Sequence, residues 1–516
     1  MRKDEADPDP PFRRLLVANR GEIAVRVLRA CHELGIETVA VYSDADVDAL
    51  HTRLADRAER IGPAPAAQSY LDIDAVIAAA HRSGAEAIHP GYGFLSENAA
   101  FARAVEQAGL VFVGPPAETL ASLGDKLAAR RAVAAAGVPI VPGLLVPLVP
   151  GASGEVAAEV AAVGFPGLVK AAAGGGGRGM RRVDRADQLA AVLEGAGREA
   201  LAAFGDGTLY FERLIVPARH VEVQLLGDRH GNLAALGERE CSVQRRHQKL
   251  VEEAPSAAVT PRTRERLAED ARRVAGTVAF HNAATVEFLL DADGSHYFLE
   301  MNTRLQVEHG VTELVTGLDL VAWQIRVAAG ERLPDAVLAN ELRGHAIEVR
   351  IYAEDPHRDF APVAGKVTAW RMPAGPGVRV DAGVEAAAPL PIEYDPLLAK
   401  LLVHADDRPA ALARLRRALD ETIVGGVQTD LSFLRWLVDE PGFAAGAYDT
   451  GLVAARWAGG PDLADDQRSL AARGALEARL GADAAPTAAP RSTGTQPASA
   501  WAARARAEAV SRRPSR

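Results

Sequence analysis

The chain has 516 residues, 48% hydrophobic and 24% charged, the balance of an ordinary globular protein with room for about two to four domains. A formal net charge of −10 argues against a general nucleic-acid binder, which needs a basic face, and no apolar run approaches the length of a membrane span. Cys31 and Cys241 lie far apart and outside any C-x-x-C spacing, and MRKDEADPDPPF has no apolar leader core, so no disulfide framework, thiolate metal centre or export is expected and a reducing cytoplasm fits.

Residues Met1 to Pro11 are polar and proline-rich and read as unstructured. The pattern then runs strand (Leu15 to Ala18), helix (Glu22 to Leu34), strand (Thr38 to Tyr42) and on in alternation to about Gly114, an open α/β unit. Asn19-Arg20-Gly21-Glu22 offers one glycine where a dinucleotide fold carries three, so a nicotinamide site is not expected. The helix around LGDKLAARRAVAAAG leads into a proline-punctuated connection, Val138 to Pro150, that reads as a hinge. A helix (Gly154 to Val163), the stretch LVKAAAGGGGRGMRRV, a helix from about Ala186 to Ala203 and a strand (Leu209 to Arg213) make a small α+β module that reads as a lid. Bare glycine backbone can lay its N–H groups against a bulky anion, and Lys170, Arg178, Arg181 and Arg182 make this loop cationic, so phosphate is expected rather than a plain linker. No Lys-Ser or Lys-Thr follows the glycines, which separates the loop from the common G-x-x-x-x-G-K-[ST] type.

From Arg219, HVEVQLL and NLAALGE read as strands, ARRVAGTVAF as a helix, and TVEFLLDADGSHYFLEMN as a hairpin turned at Asp291-Ala292-Asp293-Gly294. Strands follow at His345 to Tyr352 and Val378 to Asp381, and helices at Pro409 to Asp420 and Thr429 to Val438. Beyond about Arg456 the chain is rich in Ala, Arg, Pro and Ser and reads as a largely unstructured tail.

Chemistry concentrates in EMNTRLQVEH. In an extended chain Glu300, Asn302, Arg304, Gln306 and Glu308 share a face, and an even-length hairpin turn brings Glu287 onto it beside Glu300. Two carboxylates and the Asn302 amide are hard oxygen donors of the kind Mg²⁺ takes, although an ion-pair ladder on a solvated sheet would look the same in isolation. CSVQRRHQKLVEEAP adds Gln244, Arg245, Arg246, His247 and Lys249, cations suited to a site that handles several anions. His220 and His247 lack a third nitrogen ligand at metal spacing, so hydrogen bonding to a nucleotide or to the core is the expected role.

NRGEIAVRVLRA, HPGYGFLSEN, GDK, VKAAAGGGGRGM, RHVEVQ, QRRHQKLVEEAP, FLEMNTRLQVEHGVTE and GHAIEVRIYAEDP, in this order, resemble the biotin carboxylase family of ATP-grasp enzymes over about Arg13 to Ala455. The resemblance implies an α/β and α+β multidomain protein: an open α/β N-terminal domain (12–125), a hinge and ATP-grasp lid (126–214), an ATP-grasp central domain (215–342) and a β-rich C-terminal domain (343–456), followed by the tail (457–516). It implies ATP- and bicarbonate-dependent carboxylation of biotin on a carrier protein, with the glycine loop closing over the ATP phosphates. By position it assigns ATP to Lys126, Lys170, Gly176, Gly177, Glu212, Arg213, Leu214, Ile215, His220, Gln244, His247 and Leu289. Glu287, Glu300 and Asn302 would hold Mg²⁺ or Mn²⁺. Lys249, Arg304, Gln306 and Val307 would surround bicarbonate with Glu308 as base, and Arg350 would meet biotin.

Two departures are small: Ala173 stands where the family often has a first loop glycine, and Arg213 where a lysine is common. No A-M-K-M-type attachment motif occurs, so biotin is expected on a separate biotin carboxyl carrier protein, with a carboxyltransferase partner and a homodimeric assembly implied by the resemblance. A different ATP-grasp ligase would share the ATP and metal residues but has no need of Arg350, and a non-catalytic scaffold has no need of Glu308, Arg304 and Lys249 together.

Overall fold

The computed structural model describes residues 10–148, 154–172 and 180–459, so Gly176 and Gly177, most of the glycine loop, and the expected tail beyond Gly459 lie outside the described residues. Near the N-terminus, β1 (Arg14–Val17), β2 (Glu37–Ser43), β3 (Arg57–Gly62), β4 (Ala87–His89) and β5 (Val111–Phe112) form a parallel sheet in the order β3-β2-β1-β4-β5. The near-continuous apolar runs RLLV and TVAVYS suit strands covered on both faces. Leu16 packs into one core, with Val39, Phe101 and Val105, whereas Leu15 and Val17 pack into another that includes Leu226, Leu305 and Ile325. The second face of the sheet is therefore closed by the middle of the chain, which brings the Asn19 and Tyr92 loops toward it.

The lid module is an antiparallel sheet, β7-β6-β8, of β6 (Gly167–Ala171), β7 (Met180–Val183) and β8 (Leu209–Arg213). The helix Leu189–Phe204 seals it through Leu189, Leu193, Ala196 and Ala200 at helical spacing. The connection expected to be a hinge is held at several points. Leu144 N–H donates to Phe211 O at 2.9 Å, Arg213 N–H to Pro142 O at 2.8 Å, and Phe298 N–H to Pro139 O at 2.7 Å. It thus ties the lid strand β8 to the central hairpin and leaves little slack between them.

β9 (Ala218–Gly227), β10 (Leu233–Arg245), β11 (Gln248–Ala254), β12 (Asn282–Asp291), β13 (His296–Asn302) and β14 (His345–Tyr352) join the strands Leu397–Ala405 and Val378–Ala382 in one eight-stranded sheet. Its order is β13-β12-β9-β10-β11-β14, then Leu397–Ala405, then Val378–Ala382 at the edge. β11 pairs antiparallel with β14, so the sheet continues across the expected boundary between central and C-terminal segments. This continuity places Lys249 and Arg350 on neighbouring strands.

Three local features differ from the sequence reading. The helix expected over ARRVAGTVAF is Pro261–Ala275: Thr260 caps it by accepting from Thr263 N–H, Pro261 sits in the first turn, and Leu267, Ala271 and Val274 form its buried stripe. Gly276 and Thr277 already lie beyond it. The extended stretch in EMNTRLQVEH stops at Asn302, and a short loop precedes the helix His309–Thr316. The hairpin turn is not even. Near it Phe288 pairs with Phe298, a register that would set Leu299 opposite Glu287, but a one-residue bulge after Phe298 shifts the register so that Glu287 faces Glu300. The expected carboxylate pair forms through a bulge, not through turn parity.

Gly143 bridges to Glu212, and a Cβ built there would lie 2.5 Å from the Phe211 carbonyl oxygen, a backbone atom that cannot yield as a side chain can. Gly143→Ala is expected to destabilise the protein by about 1–3 kcal/mol in denaturant titration and to lower hydrogen-exchange protection at Leu144 and Arg213. Unchanged protection at both amides would mean that the connection does not hold β8.

Candidate active site

Lys249, on β11, is the hub. Its Nζ donates to Glu222 Oε2 at 2.5 Å, Glu308 Oε1 at 2.6 Å and Glu287 Oε1 at 2.9 Å, with the side chain 12% exposed. Burial favours the neutral amine, but the attraction of Glu222, Glu287 and Glu308 outweighs it and holds the ammonium well above the usual lysine range. The carboxylates need further cations, since buried anions are tolerated only when paired. Glu222 accepts from Arg239 Nε at 2.5 Å, and His220 Nε2 lies 2.9 Å from Glu287 Oε2. Burial lowers the His220 pKa, yet the Glu287 charge outweighs that and raises it.

Glu287 and Glu300 stand opposite each other on β12 and β13. Asn302 Nδ2 donates to Glu287 Oε1 at 3.0 Å, Gln306 Nε2 to the same oxygen at 2.8 Å, and Lys126 Nζ to Glu300 Oε2 at 3.0 Å. The donor set of two carboxylates and an amide fits Mg²⁺ or Mn²⁺, and the Glu300 side chain, 34% exposed, leaves an approach from solvent. Ligand atoms of His220, Glu222 and Glu287 also lie within 4.8 Å of one another. Glu222 already serves Arg239 and Lys249 and is fully buried, so the oxygen set is the better metal site.

The residues expected to meet ATP gather around this set. On β6 and β8 the buried Glu212 carboxylate pairs with Lys170 and with Arg130, from the helix Lys126–Ala135. Burial pushes the Glu212 pKa up, but Lys170 and then Arg130 outweigh it and hold it low. Ile215 and Val141 form a small apolar cluster against which Leu289 and Tyr297 pack, a surface suited to a flat base. Arg213 is tied by its backbone to Pro142, and Leu214 N–H donates to Pro166 O at 2.9 Å. Gln244 is the cross-strand partner of Lys249, and His247 sits in the two-residue β10–β11 turn, where Arg246 and His247 take φ of 48° and 69°. Both central residues of a type I′ turn need positive φ, which non-glycine residues adopt at a cost. That turn projects His247 toward Lys170 and His220, and burial, then the charges of Lys170 and His220, lower its pKa.

Glu308 joins the two ends of the site. One oxygen accepts from Lys249, and the other accepts from Arg350 Nη2 at 3.0 Å. Burial pushes the carboxyl up, but Lys249, then Arg350 and Arg239, outweigh it and hold Glu308 well below the usual range, so it is a carboxylate at neutral pH. Arg304 Nη2 donates to Asn302 Oδ1 at 3.2 Å and its Nε to Glu97 Oε2 at 3.0 Å. Val307 presents its carbonyl to Lys400 Nζ at 2.7 Å.

The sequence reading did not single out Glu97, Arg130, Glu222, Arg239 or Glu252. Glu222 shares the alternation of HVEVQ with His220 and Gln224, so its inward face was legible. Arg239, fully buried, donates to Glu222, to Gln224 and Gln306 at 2.7 and 3.0 Å, and to Thr312 and Thr285 at 3.0 and 3.1 Å. No local pattern announces that role, because its partners lie on four other segments.

Three family models cover the chain: "Biotin carboxylase, N-terminal domain" over 11–120, "Carbamoyl-phosphate synthase L chain, ATP binding domain" over 125–336 and "Biotin carboxylase C-terminal domain" over 348–455. The chain is 48% identical over 443 residues to the biotin carboxylase of Halalkalibacterium halodurans, covering 86% of this chain and 97% of that protein. It is also 48% identical over 443 residues to a pyruvate carboxylase subunit of Methanothermobacter thermautotrophicus, covering 86% and 89%. Against the alpha subunit of methylcrotonoyl-CoA carboxylase from Oryza sativa, at 48% over 445 residues, it spans 60% of the relative's length. Among solved structures, a biotin carboxylase–beta-gamma-ATP complex from Campylobacter jejuni matches with a TM-score of 0.83 at 43% identity, covering 86% of this chain and 99% of that one. The biotin carboxylase domain of Hydrogenobacter thermophilus 2-oxoglutarate carboxylase, a dimer with MgADP, ADP and bicarbonate, matches with a TM-score of 0.82 at 43% identity, covering 86% and 97%. The models that flank the ATP-binding segment, and not that segment alone, separate the chain from other ATP-grasp ligases: it belongs to the biotin carboxylase family of ATP-dependent ligases.

Proposed function

We propose that the chain is the biotin carboxylase component of an acyl-CoA carboxylase of acetyl-CoA or propionyl-CoA type, acting on biotin borne by a separate carrier protein, as a homodimer alongside a carboxyltransferase. The observation that carries the catalytic part is the placement of Glu308, which accepts from Lys249 at 2.6 Å with one oxygen and from Arg350 at 3.0 Å with the other. One carboxylate thereby connects the metal- and phosphate-handling residues to the arginine assigned to biotin.

Lys126, Lys170 and His247 meet the phosphates, with Gly176 and Gly177 assigned to the same task, while Ile215 and Leu289 flank the base. Glu287, Glu300 and Asn302 would hold Mg²⁺ or Mn²⁺, which would supply charge neutralisation for the γ-phosphoryl group. Bicarbonate sits against Lys249, Arg304, Gln306 and Val307, held for in-line attack. As its charge engages Lys249 and Arg304, less positive charge remains on Glu308, which becomes more basic when the proton must be taken. Phosphoryl transfer gives carboxyphosphate, which must be shielded from water until it yields CO₂. Arg350 then stabilises the negative charge that develops on the biotin ureido oxygen.

Glu308→Gln keeps the shape and loses the base. Nucleotide affinity is expected to stay within about threefold, while bicarbonate-dependent ATP turnover falls by about 10²-fold or more. Turnover within a few-fold of the parent would remove Glu308 from the role.

Arg350→Ala is expected to depress carboxybiotin formation far more than the bicarbonate-dependent ATP hydrolysis measured without biotin, since the second needs only carboxyphosphate formation and decay. In the parent, a biotinylated carrier added in trans is expected to be a better substrate than free biotin, because protein contacts supply binding that the small ring cannot. Equal loss of both activities in the variant would contradict the assignment of Arg350. Covalent biotin on the purified chain would contradict the separate carrier.

A further inference from the structure

Beside Arg350 lies a group that none of these steps uses. Glu252 on β11 and Glu348 on β14 are direct cross-strand partners, and both are completely buried. Like charges directly opposite in an antiparallel pair repel, and in a dry interior two facing carboxyls cannot both ionise. Their contacts are uneven. Glu252 Oε1 accepts from Arg350 Nη2, the nitrogen that also donates to Glu308 Oε2 at 3.0 Å. Glu252 Oε2 and both Glu348 oxygens have no hydrogen-bond partner among the described residues, although all three are buried. Buried polar atoms are rarely left so, and a proton with a bridging water would satisfy them. Gly310 packs closely here, since a Cβ there would meet the Leu402 side chain and lie 3.1 Å from Glu348 Oε2.

We propose that Glu252 and Glu348 are a carboxyl pair that retains one proton at neutral pH and holds Arg350 in place through Glu252, which makes both of them positioning residues for the biotin half of the reaction. The proposal rests on the biotin carboxylase reading for its timing but not for the existence of the pair. The retained proton resides on Glu348, whose oxygens have no hydrogen-bond partner among the described residues, and Glu252 is the carboxylate that Arg350 Nη2 serves together with the Glu308 anion. When Glu308 takes the bicarbonate proton, that anion disappears. Glu252 then remains as the full counter-charge of Arg350, while Glu348 keeps its proton. No proton enters or leaves the pair.

The surrounding charges are consistent with one retained proton. Lys249 on β11, Arg350 on β14 and Glu308 from the loop face Glu252, Cys241 on β10 lies within reach of its field, and Lys400 on the next strand faces Glu348. Burial, opposed by Arg350 and reinforced by Glu308, pushes Glu252 up to about 7. Burial, opposed by Lys400 and reinforced by Glu252, pushes Glu348 well above the carboxylate range.

Infrared spectroscopy of the full chain in D₂O tests the pair without any substrate. The parent-minus-Glu348→Gln difference spectrum at neutral pH should contain the stretching band of a protonated carboxyl in a dry site, and the amide isostere should fold because it replaces a neutral group. If that variant does not fold, the parent's own pH-difference spectrum must show carboxyl intensity lost as pH rises through about 7. Absence of such a band overturns the proposal. In kinetics, parent carboxybiotin formation should rise with pH through about 7 as Glu252 ionises. Glu252→Gln should lose that limb and raise the KM for biotin about tenfold more than the KM for ATP. A Glu252→Gln profile superimposable on the parent, with both KM values moved alike, refutes the positioning role. A parent that makes no carboxybiotin while the infrared band is present refutes the functional reading and leaves the pair standing.

Discussion

The site depends on the ammonium of Lys249 surrounded by the carboxylates of Glu222, Glu287 and Glu308. Breaking a buried ion pair by removing one partner costs about 3–5 kcal/mol, so each of these anions demands its other cations as well. Arg239 on Glu222, His220 on Glu287 and Arg350 on Glu308 follow from that demand. Substrate binding at such a centre is an exchange of counter-charges. On the proposed function, bicarbonate, phosphate and metal would displace contacts that the protein's own side chains already make, so little new charge would have to be buried when they arrive.

The fold supplies this centre by running one antiparallel sheet through the middle of the chain. β12 and β13 carry Glu287, Glu300 and Asn302, β9 carries His220 and Glu222, β10 carries Arg239 and Gln244, β11 carries Lys249 and β14 carries Arg350. Neighbouring strands lie about 4.8 Å apart, so a row of side chains on one face meets at hydrogen-bond distance without long loops. The remaining pieces close over that face. The parallel sheet brings Glu97 onto Arg304, and the lid strands bring Lys170 and Glu212 alongside Lys126.

Much of this was legible because strand periodicity places residues on faces. Glu287 and Glu300, the alternation of Glu348, Arg350 and Tyr352, and the lid's helix–strand order could all be read locally. The bulge after Phe298 could not, since a bulge is a compromise between the turn at Ala292 to Gly294 and the pairing beyond it. Nor could the loop after Asn302: period-two reasoning carried the strand to Glu308, whereas the chain leaves the sheet to begin a helix, and Gln306 and Glu308 reach the site from the loop. Glu97 and Arg239 escaped for a different reason. Their importance lies in partners distant along the chain, and no composition or spacing rule reports a contact such as Glu97 with Arg304. Arg350 and its assignment to biotin came from resemblance, and the structure adds why it is rigid: Glu252 and Glu308 share one of its nitrogens.

The central claim is that one site activates bicarbonate with ATP and passes the carbon to biotin. The most direct measurement is to incubate the chain with ATP, Mg²⁺, ¹³C-bicarbonate and free biotin and to follow the carboxyl carbon by NMR. The account predicts an ATP-dependent carbamate signal on the ureido nitrogen, formed in step with ADP and absent when bicarbonate is withheld. ATP hydrolysis that proceeds equally without bicarbonate, with no labelled carboxybiotin at any time, would contradict it.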